Sequence, residues 1–149
     1  MRIRLGFVSN SSSSSFIVID AKKGYVETNL PKDLVVNADL GCTEFGWGPE
    51  TLTDIGSRII FAYFQALYVD NDDWVDMLER CIKDNSDVQT ITWNIDTDWC
   101  GKGKLDHGYI DHESASYGNM NTEMFDDKQT LKDFIFGKAS KIVLDNDNH

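Results

Sequence analysis

The residues best suited to chemistry are those of the segment LDHGYIDHES, late in the sequence. It brings together Asp106, His107, Asp111, His112 and Glu113, and all three residue types bind metal ions or act as general acids and bases. The two histidines are five residues apart, so on a strand their side chains point to opposite faces. His107, Asp111 and Glu113 share one face of such a strand and form the better candidate metal site.

Polar residues at a strand edge explain the same cluster without any metal, and this is the more common situation. The segment DTDWCGKG, with Asp96 and Asp98, lacks the terminal Glu of a calcium-binding EF-hand loop and reads as a turn. We therefore predict no cofactor. Carboxylates in or beside loops are accessible to a partner, so we predict partner contacts by the following residues: Asp96, Asp98, Asp106, Asp111 and Glu113.

A run of serines lies between two apolar segments near the amino terminus, in GFVSNSSSSSFIVI. A phosphate-binding loop would need glycines followed by a helix, whereas FIVI is typical of a strand. A catalytic serine needs a base, and none is close in the sequence. The run predicts an ordered hairpin connection whose hydroxyls bond the local backbone. The alternative is a contact or modification site formed by Ser11, Ser12, Ser13 and Ser14.

The net charge of −11 is concentrated in one half of the chain. Residues 1–69 contain 6 basic and 7 acidic side chains, a net −1, while residues 70–149 contain 8 and 18, a net −10. A surface this negative repels phosphates and accelerates encounter with basic surfaces. Direct nucleic-acid binding is therefore disfavoured and a basic protein partner is favoured, although solubility alone also explains such a charge.

The length and composition indicate one domain covering residues 1–149, because 149 residues with 41% hydrophobic content can bury one core. The apolar start is interrupted at Gly6, which excludes an ordinary signal peptide, and no apolar run is long enough to cross a bilayer. The three cysteines, Cys42, Cys81 and Cys100, are widely spaced and odd in number. Reduced thiols in a cytoplasmic protein are expected.

Periodicity predicts strands and helices in an α+β order. The Gly48–Pro49 pair is expected to begin the first helix, Asn71 to cap the second, and Asp126 with Gln129 to cap the third before a terminating Gly137. The predicted strands are 2–8, 15–21, 33–40, 88–96, 108–111 and 141–145. The predicted fold is a mainly antiparallel sheet of four to six strands with about three helices packed on one face.

The opening RLGFVSNSSSSSFIVI resembles that of a set of uncharacterised small proteins from bacteriophages and bacterial genomes. The segments GYIDHES and FIFGKASKIVLDNDN are similar to parts of the same proteins, and together the three cover roughly a quarter of the chain. The resemblance implies a phage or mobile-element origin. It carries no activity and no catalytic residue.

Two classes of function remain. The first is a non-enzymatic, acidic accessory protein in the host cytoplasm that binds and inhibits a basic host or defence protein. Many anti-CRISPR proteins are small and acidic in this way, and nucleic-acid mimicry is one route to such inhibition. The second is a metal-dependent hydrolase or nuclease that uses the cluster from Asp106 to Glu113. The charge, and the lack of a glycine-rich phosphate loop or strong metal-ligand spacing, favour the first class, for which we predict no catalytic residue.

The cysteine pattern predicts that no structural disulfide forms. Titration of the denatured protein without reductant should detect three thiols. A count of one thiol would demonstrate a disulfide and contradict this prediction.

Overall fold

The computed structural model describes residues 2–7, 14–42, 50–69, 71–95 and 122–144. These ranges contain three α-helices together with strands and a short 3₁₀ turn, so the α+β class is confirmed. The elements are β1 (Arg2–Phe7), β2 (Ser14–Ile19), β3 (Asp33–Val36), β4 (Glu50–Leu52), α1 (Ile55–Tyr68), α2 (Asp72–Asp84), β5 (Thr90–Trp93), the 3₁₀ turn (Glu123–Phe125), α3 (Lys128–Phe136) and β6 (Lys141–Leu144).

An antiparallel sheet is built around β6, which pairs with β2 on one side and β4 on the other. β1 extends this sheet along the far edge of β2, in the order β1-β2-β6-β4. Ile142 of β6 lies opposite both Ile17 and Leu52, and all three side chains are buried in the core. The chain therefore closes its sheet with a strand from its carboxyl-terminal end.

The strands on either side of the serine run pair as predicted. β1 and β2 are antiparallel, with Phe7 opposite Ser14. Ser14 is thus the first residue of β2, whereas Ser11–Ser13 lie outside the described residues. The hydrogen bonding of the serine hydroxyls remains a prediction.

A second, parallel sheet corrects the prediction of one mainly antiparallel sheet. β3 and β5 pair in parallel, with Leu34 opposite Ile91 and Val36 opposite Trp93. Leu34 and Val36 are buried and alternate with exposed neighbours. A parallel pair requires a long connection, which α1 and α2 supply between the two strands. Alternation within each strand does not reveal which strand it will pair with, so the sequence pattern missed this sheet.

The first helix begins later than predicted. The Gly48–Pro49 start is wrong, because Glu50–Leu52 form β4 and α1 starts at Ile55. The carboxylate of Asp54 accepts a hydrogen bond from the Ser57 backbone N–H at 2.9 Å. A carboxylate cap satisfies a backbone donor that glycine leaves open. Leu52 instead belongs to strand β4, where it pairs with Ile142 of β6.

Helix α1 carries a buried arginine that holds other elements to it. The residue Arg58 is 1% exposed, and its guanidinium donates hydrogen bonds to three backbone carbonyls. They belong to Phe134 (3.0 Å), Gly137 (2.7 Å) and Thr53 (3.1 Å). Burial lowers the pKa of Arg58 to about 10, and nearby Asp54 acts in the opposite direction. Positive charge at the carboxyl end of a helix is favourable, so Arg58 also stabilises the end of α3.

The segment before α1 packs closely against its first turn. A Cβ atom at Gly56 would overlap the backbone carbonyl of Leu40, so this position requires glycine. The Cys42 backbone N–H donates to the Ser57 hydroxyl at 2.8 Å. These contacts fix the chain after β3 against the start of α1.

Helix α2 begins as predicted. The Asn71 side chain accepts a hydrogen bond from the Trp74 backbone N–H at 3.3 Å. Leu78, Cys81 and Ile82 form its buried side. Because Leu78 and Ile82 are four residues apart and Cys81 lies between them, they share one face of the helix.

Helix α3 is capped one residue later than predicted. Asp127, not Asp126, is the N-cap, and its carboxylate accepts a hydrogen bond from the Thr130 backbone N–H at 2.7 Å. Gly137 ends the helix as predicted, in an extended conformation rather than a left-handed one. A Cβ atom at Gly137 would come within 2.6 Å of the Asp20 carbonyl oxygen, so close packing against the end of β2 explains this glycine.

Cys42 and Cys81 each carry a thiol, and Cys100 lies outside the described residues, so the absence of disulfides stays a prediction. Among the described helices, none combines the length and the apolar character that a membrane span requires.

The cap of α3 gives a direct test of the fold, because Asp127 caps the helix and the adjacent exposed Asp126 does not. Asp127→Ala should lower the free energy of unfolding by about 0.5–2 kcal/mol through loss of the cap. Asp126→Ala is the matched control, with the same change in charge, and should lower it much less. Urea denaturation measures both. A larger loss of stability for Asp126→Ala would indicate that Asp126 caps the helix, as the sequence predicts.

Candidate functional site

Most residues of the predicted site lie outside the described part of the chain. This applies to Ser11, Ser12 and Ser13 and to Asp96, Asp98, Asp106, His107, Asp111 and Glu113. Ser14 begins β2. The metal site and the loop contacts therefore stay predictions. Within the described ranges, no three His, Cys, Asp or Glu side chains are grouped so that they could hold a metal ion.

The described residues form a different candidate site, a cleft of about 450 Å³ between α2 and α3. One wall is a stripe of α2 and the other is the first half of α3. A volume of this size is in the range of sites that bind small molecules or peptide side chains. The lining residues are Asp73, Asp76, Met77, Arg80, Cys81, Asp84 and Asn85 from α2 and the turn after it, and Lys128, Gln129, Leu131 and Lys132 from α3.

The apolar lining of the cleft consists of Met77, Cys81 and Leu131. Leu131 is fully buried, Cys81 is 8% exposed and Met77 is half-buried. Burial raises the pKa of the Cys81 thiol to about 12, although a hydrogen bond from Asn85 opposes this effect. A thiol is nucleophilic only as the thiolate, so Cys81 acts here as an apolar surface rather than as a nucleophile.

The two walls of the cleft carry opposite charges. The α2 wall carries Asp73, Asp76 and Asp84 together with Arg80, a net charge of −2, and the α3 wall carries Lys128 and Lys132, a net charge of +2. Asp84 and Lys132 both act electrostatically on Cys81, which places one charge of each sign beside the thiol.

Several charged side chains at the cleft have no ion-pair partner among the described residues. Asp76 and Arg80, and likewise Arg80 and Asp84, are four residues apart on α2, a spacing that permits ion pairs. In the part of the chain that the structure describes, no ion pair or side-chain hydrogen bond engages these three residues or Lys128. Their charges are available to a ligand.

The α3 wall is positioned by a network centred on Tyr25. The Tyr25 hydroxyl donates to the Asp133 carboxylate at 2.7 Å, and the Gln129 amide donates to the same carboxylate at 2.8 Å. The Lys132 ammonium lies 4.3 Å from the centre of the Tyr25 ring. The hydrogen bond to Asp133, followed by desolvation, raises the pKa of Tyr25. Gln129 and Lys132 are therefore held in place before any ligand binds.

The α2 wall is fixed by two aromatic stacks. Trp74 stacks on Phe125 of the 3₁₀ turn, with ring centres 4.6 Å apart. Trp93 of β5 stacks on Tyr63 of α1 at 4.0 Å, and its indole N–H donates to the Glu79 carboxylate at 2.6 Å. These contacts join α2 to α1, β5 and the 3₁₀ turn, so the helix presents its outer side on a rigid support.

That outer side carries more acidic than basic residues. Asp72, Asp73, Asp76, Asp84 and Asp87, here called the acidic face, are all exposed. At 3.6 residues per turn, the four that belong to α2 fall within a sector of roughly 120°, opposite the buried side of the helix. Arg80 and Lys83 are interspersed with them. One flank of the acidic face forms the α2 wall of the cleft.

Sequence reasoning missed the cleft because its walls are 43 or more residues apart in the chain, and packing alone brings them together. A signal did exist in the four-residue spacing of Asp76, Arg80 and Asp84, and of Lys128 and Lys132, which marks one charged stripe on each helix.

No protein-family model, no curated protein and no solved structure matches this chain.

The high pKa of Cys81 gives a testable prediction about the cleft. In the native protein at neutral pH, iodoacetamide should modify Cys81 far more slowly than Cys42, because Cys81 is buried and its thiol stays protonated. Unfolding in urea should abolish the difference. Peptide mapping by mass spectrometry measures both sites, and equal native rates would contradict the inert role of Cys81.

Proposed function

We propose that this chain is a non-enzymatic, acidic accessory protein of phage or mobile-element origin that binds and inhibits a basic host or defence protein. The observation that carries the proposal is the acidic face, which presents four exposed carboxylates on the rigidly supported helix α2 and a fifth, that of Asp87, just beyond its end. The resemblance of the amino-terminal segment to phage proteins supports the proposed origin. A host defence protein as the partner implies that this chain acts in the host cytoplasm.

Helix stability explains only part of the acidic face. Asp72 and Asp73 lie in the first turn of α2, where negative charge complements the helix dipole. Asp84 is the last residue of the helix, and Asp87 follows it. Negative charge at a helix carboxyl end is unfavourable, so these two residues act against the stability of α2. A role in binding accounts for their position.

The support of α2 favours a binding function. The helix is held by its buried side and by the stacks at Trp74 and Trp93, so few groups need to be ordered when a partner binds. Surfaces organised in advance lose less entropy on association. Exposed carboxylates on such a surface attract a basic partner and repel nucleic acid.

Charge reversal on the acidic face tests the proposal. Asp76→Lys with Asp87→Lys should weaken binding to basic partners about tenfold or more, since favourable charge pairs become repulsive. Glu27→Lys with Asp39→Lys is the matched control, because both residues are exposed, lie outside α2 and undergo the same change in charge.

Tagged forms of the wild type and both variants would be incubated with bacterial lysate, and the captured proteins quantified by mass spectrometry. Basic proteins should be captured by the wild type and the control and lost with the α2 variant. The purified pair should also dissociate more readily as salt rises, because charges are screened over about 10 Å at 0.1 M. Identical capture by all three forms would refute the role of the acidic face.

The hydrolase alternative is tested by the same binding experiment. His107→Ala and His112→Ala should leave binding and inhibition nearly unchanged. If these substitutions abolish inhibition while the α2 charge reversals have no effect, the chain is better explained as a metal-dependent hydrolase or nuclease than as a binding protein.

A further inference from the structure

We infer that the cleft between α2 and α3 receives a short segment of the basic partner, with one apolar side chain inserted between the helices and flanking Arg or Lys residues on the α2 wall. This inference rests on the proposed function and names the place and the chemistry of the contact.

The apolar lining explains why an uncharged anchor is expected. Met77, Cys81 and Leu131 lie together between the helices, and the Cys81 thiol remains protonated. An apolar side chain placed there removes its own surface and that of the half-buried Met77 from water, at roughly 25 cal/mol per Å². Methionine adapts its shape to different partners and is common at such surfaces.

The distribution of charge indicates what flanks the anchor. The α2 wall carries Asp73, Asp76 and Asp84 against the single basic residue Arg80, a net charge of −2, and the acidic face continues beyond it to Asp72 and Asp87. Basic residues of the segment complement this wall. Lys128 and Lys132 on the opposite wall repel the same residues, so they direct the segment towards α2.

The length of the cleft sets the length of the segment. From Asp73 to Asp84, α2 extends roughly 16 Å at ~1.5 Å per residue. An extended chain of about five residues spans this distance at roughly 3.3 Å per residue. One anchor with two basic residues on each side therefore fits the α2 wall.

Defined peptides test this inference on the full-length chain. The probe is a synthetic peptide with a central leucine flanked by two arginines on each side. One control peptide has the leucine moved to the end, and a second has glutamate in place of each arginine. Binding would be followed by NMR with isotope-labelled protein, together with titration by free arginine to distinguish a peptide site from a site for a single amino acid.

The probe should shift the backbone amide signals of Met77, Cys81 and Leu131. The displaced-leucine peptide should bind several-fold more weakly, and the glutamate peptide should not bind. The inference is overturned by the absence of shifts at these amides, by equal binding of the two leucine peptides, or by free arginine that binds as well as the probe.

Two variants separate the cleft from the acidic face. Met77→Trp fills the cleft and should weaken probe binding at least tenfold. Lys128→Glu removes a repulsive charge and should strengthen it about threefold, whereas Lys138→Glu is a control at an exposed lysine that does not line the cleft. Circular dichroism would verify folding, and Lys128→Glu provides the test if Met77→Trp does not fold.

The same variants would be used in the lysate experiment. If the acidic-face reversals abolish capture while Met77→Trp and Lys128→Glu leave it unchanged, the proposed function stands and the cleft is not the site of contact. If none of these variants changes capture, the acidic face and the cleft are both excluded.

Discussion

The buried guanidinium of Arg58 is the constraint on which the other packing depends. It donates to the carbonyls of Thr53, Phe134 and Gly137, and so joins the start of α1 to the end of α3 and to the turn before β6. A buried charge is tolerated only when it is paired or well hydrogen-bonded, so the three carbonyls must stay in register with the arginine. The register of β6 in the centre of its sheet and the position of α3 beside α2 are thereby linked.

Charge is used in two different ways in this molecule. Arg58 is buried and its two terminal nitrogens donate to backbone oxygens, although its Nε has no hydrogen-bond partner among the described residues, and its lowered pKa reflects the desolvation that the fold imposes. The carboxylates of the acidic face are exposed, and Asp84 and Asp87 are at the helix end where they are least favourable. A group that costs stability and lies beside a cleft is a better candidate for binding than one that completes the core. This contrast directs the functional hypothesis to α2 rather than to the buried network.

Local signals predicted local features well. The Asn71 cap, the strand pairing around the serine run and the end of α3 at Gly137 each depend on a few neighbouring residues. The parallel pair of β3 and β5 and the start of α1 depend on partners far away in the sequence, such as the pairing of Leu52 with Ile142. The cleft was missed for the same reason. The predicted site in residues 96–113 lies outside the described ranges, so it remains a hypothesis beside the one that the structure supports.

Hydrogen exchange of the chain, alone and bound to the basic protein it captures, is the most direct test of function by contact through α2. Mass spectrometry would follow deuterium uptake in peptides covering residues 72–87, 128–132 and 96–113. The account predicts slower exchange in residues 72–87 of the complex, where the partner covers the acidic face. Protection confined to residues 96–113, with exchange in α2 unchanged, would contradict this account. It would indicate that the partner contacts the carboxylate and histidine cluster instead.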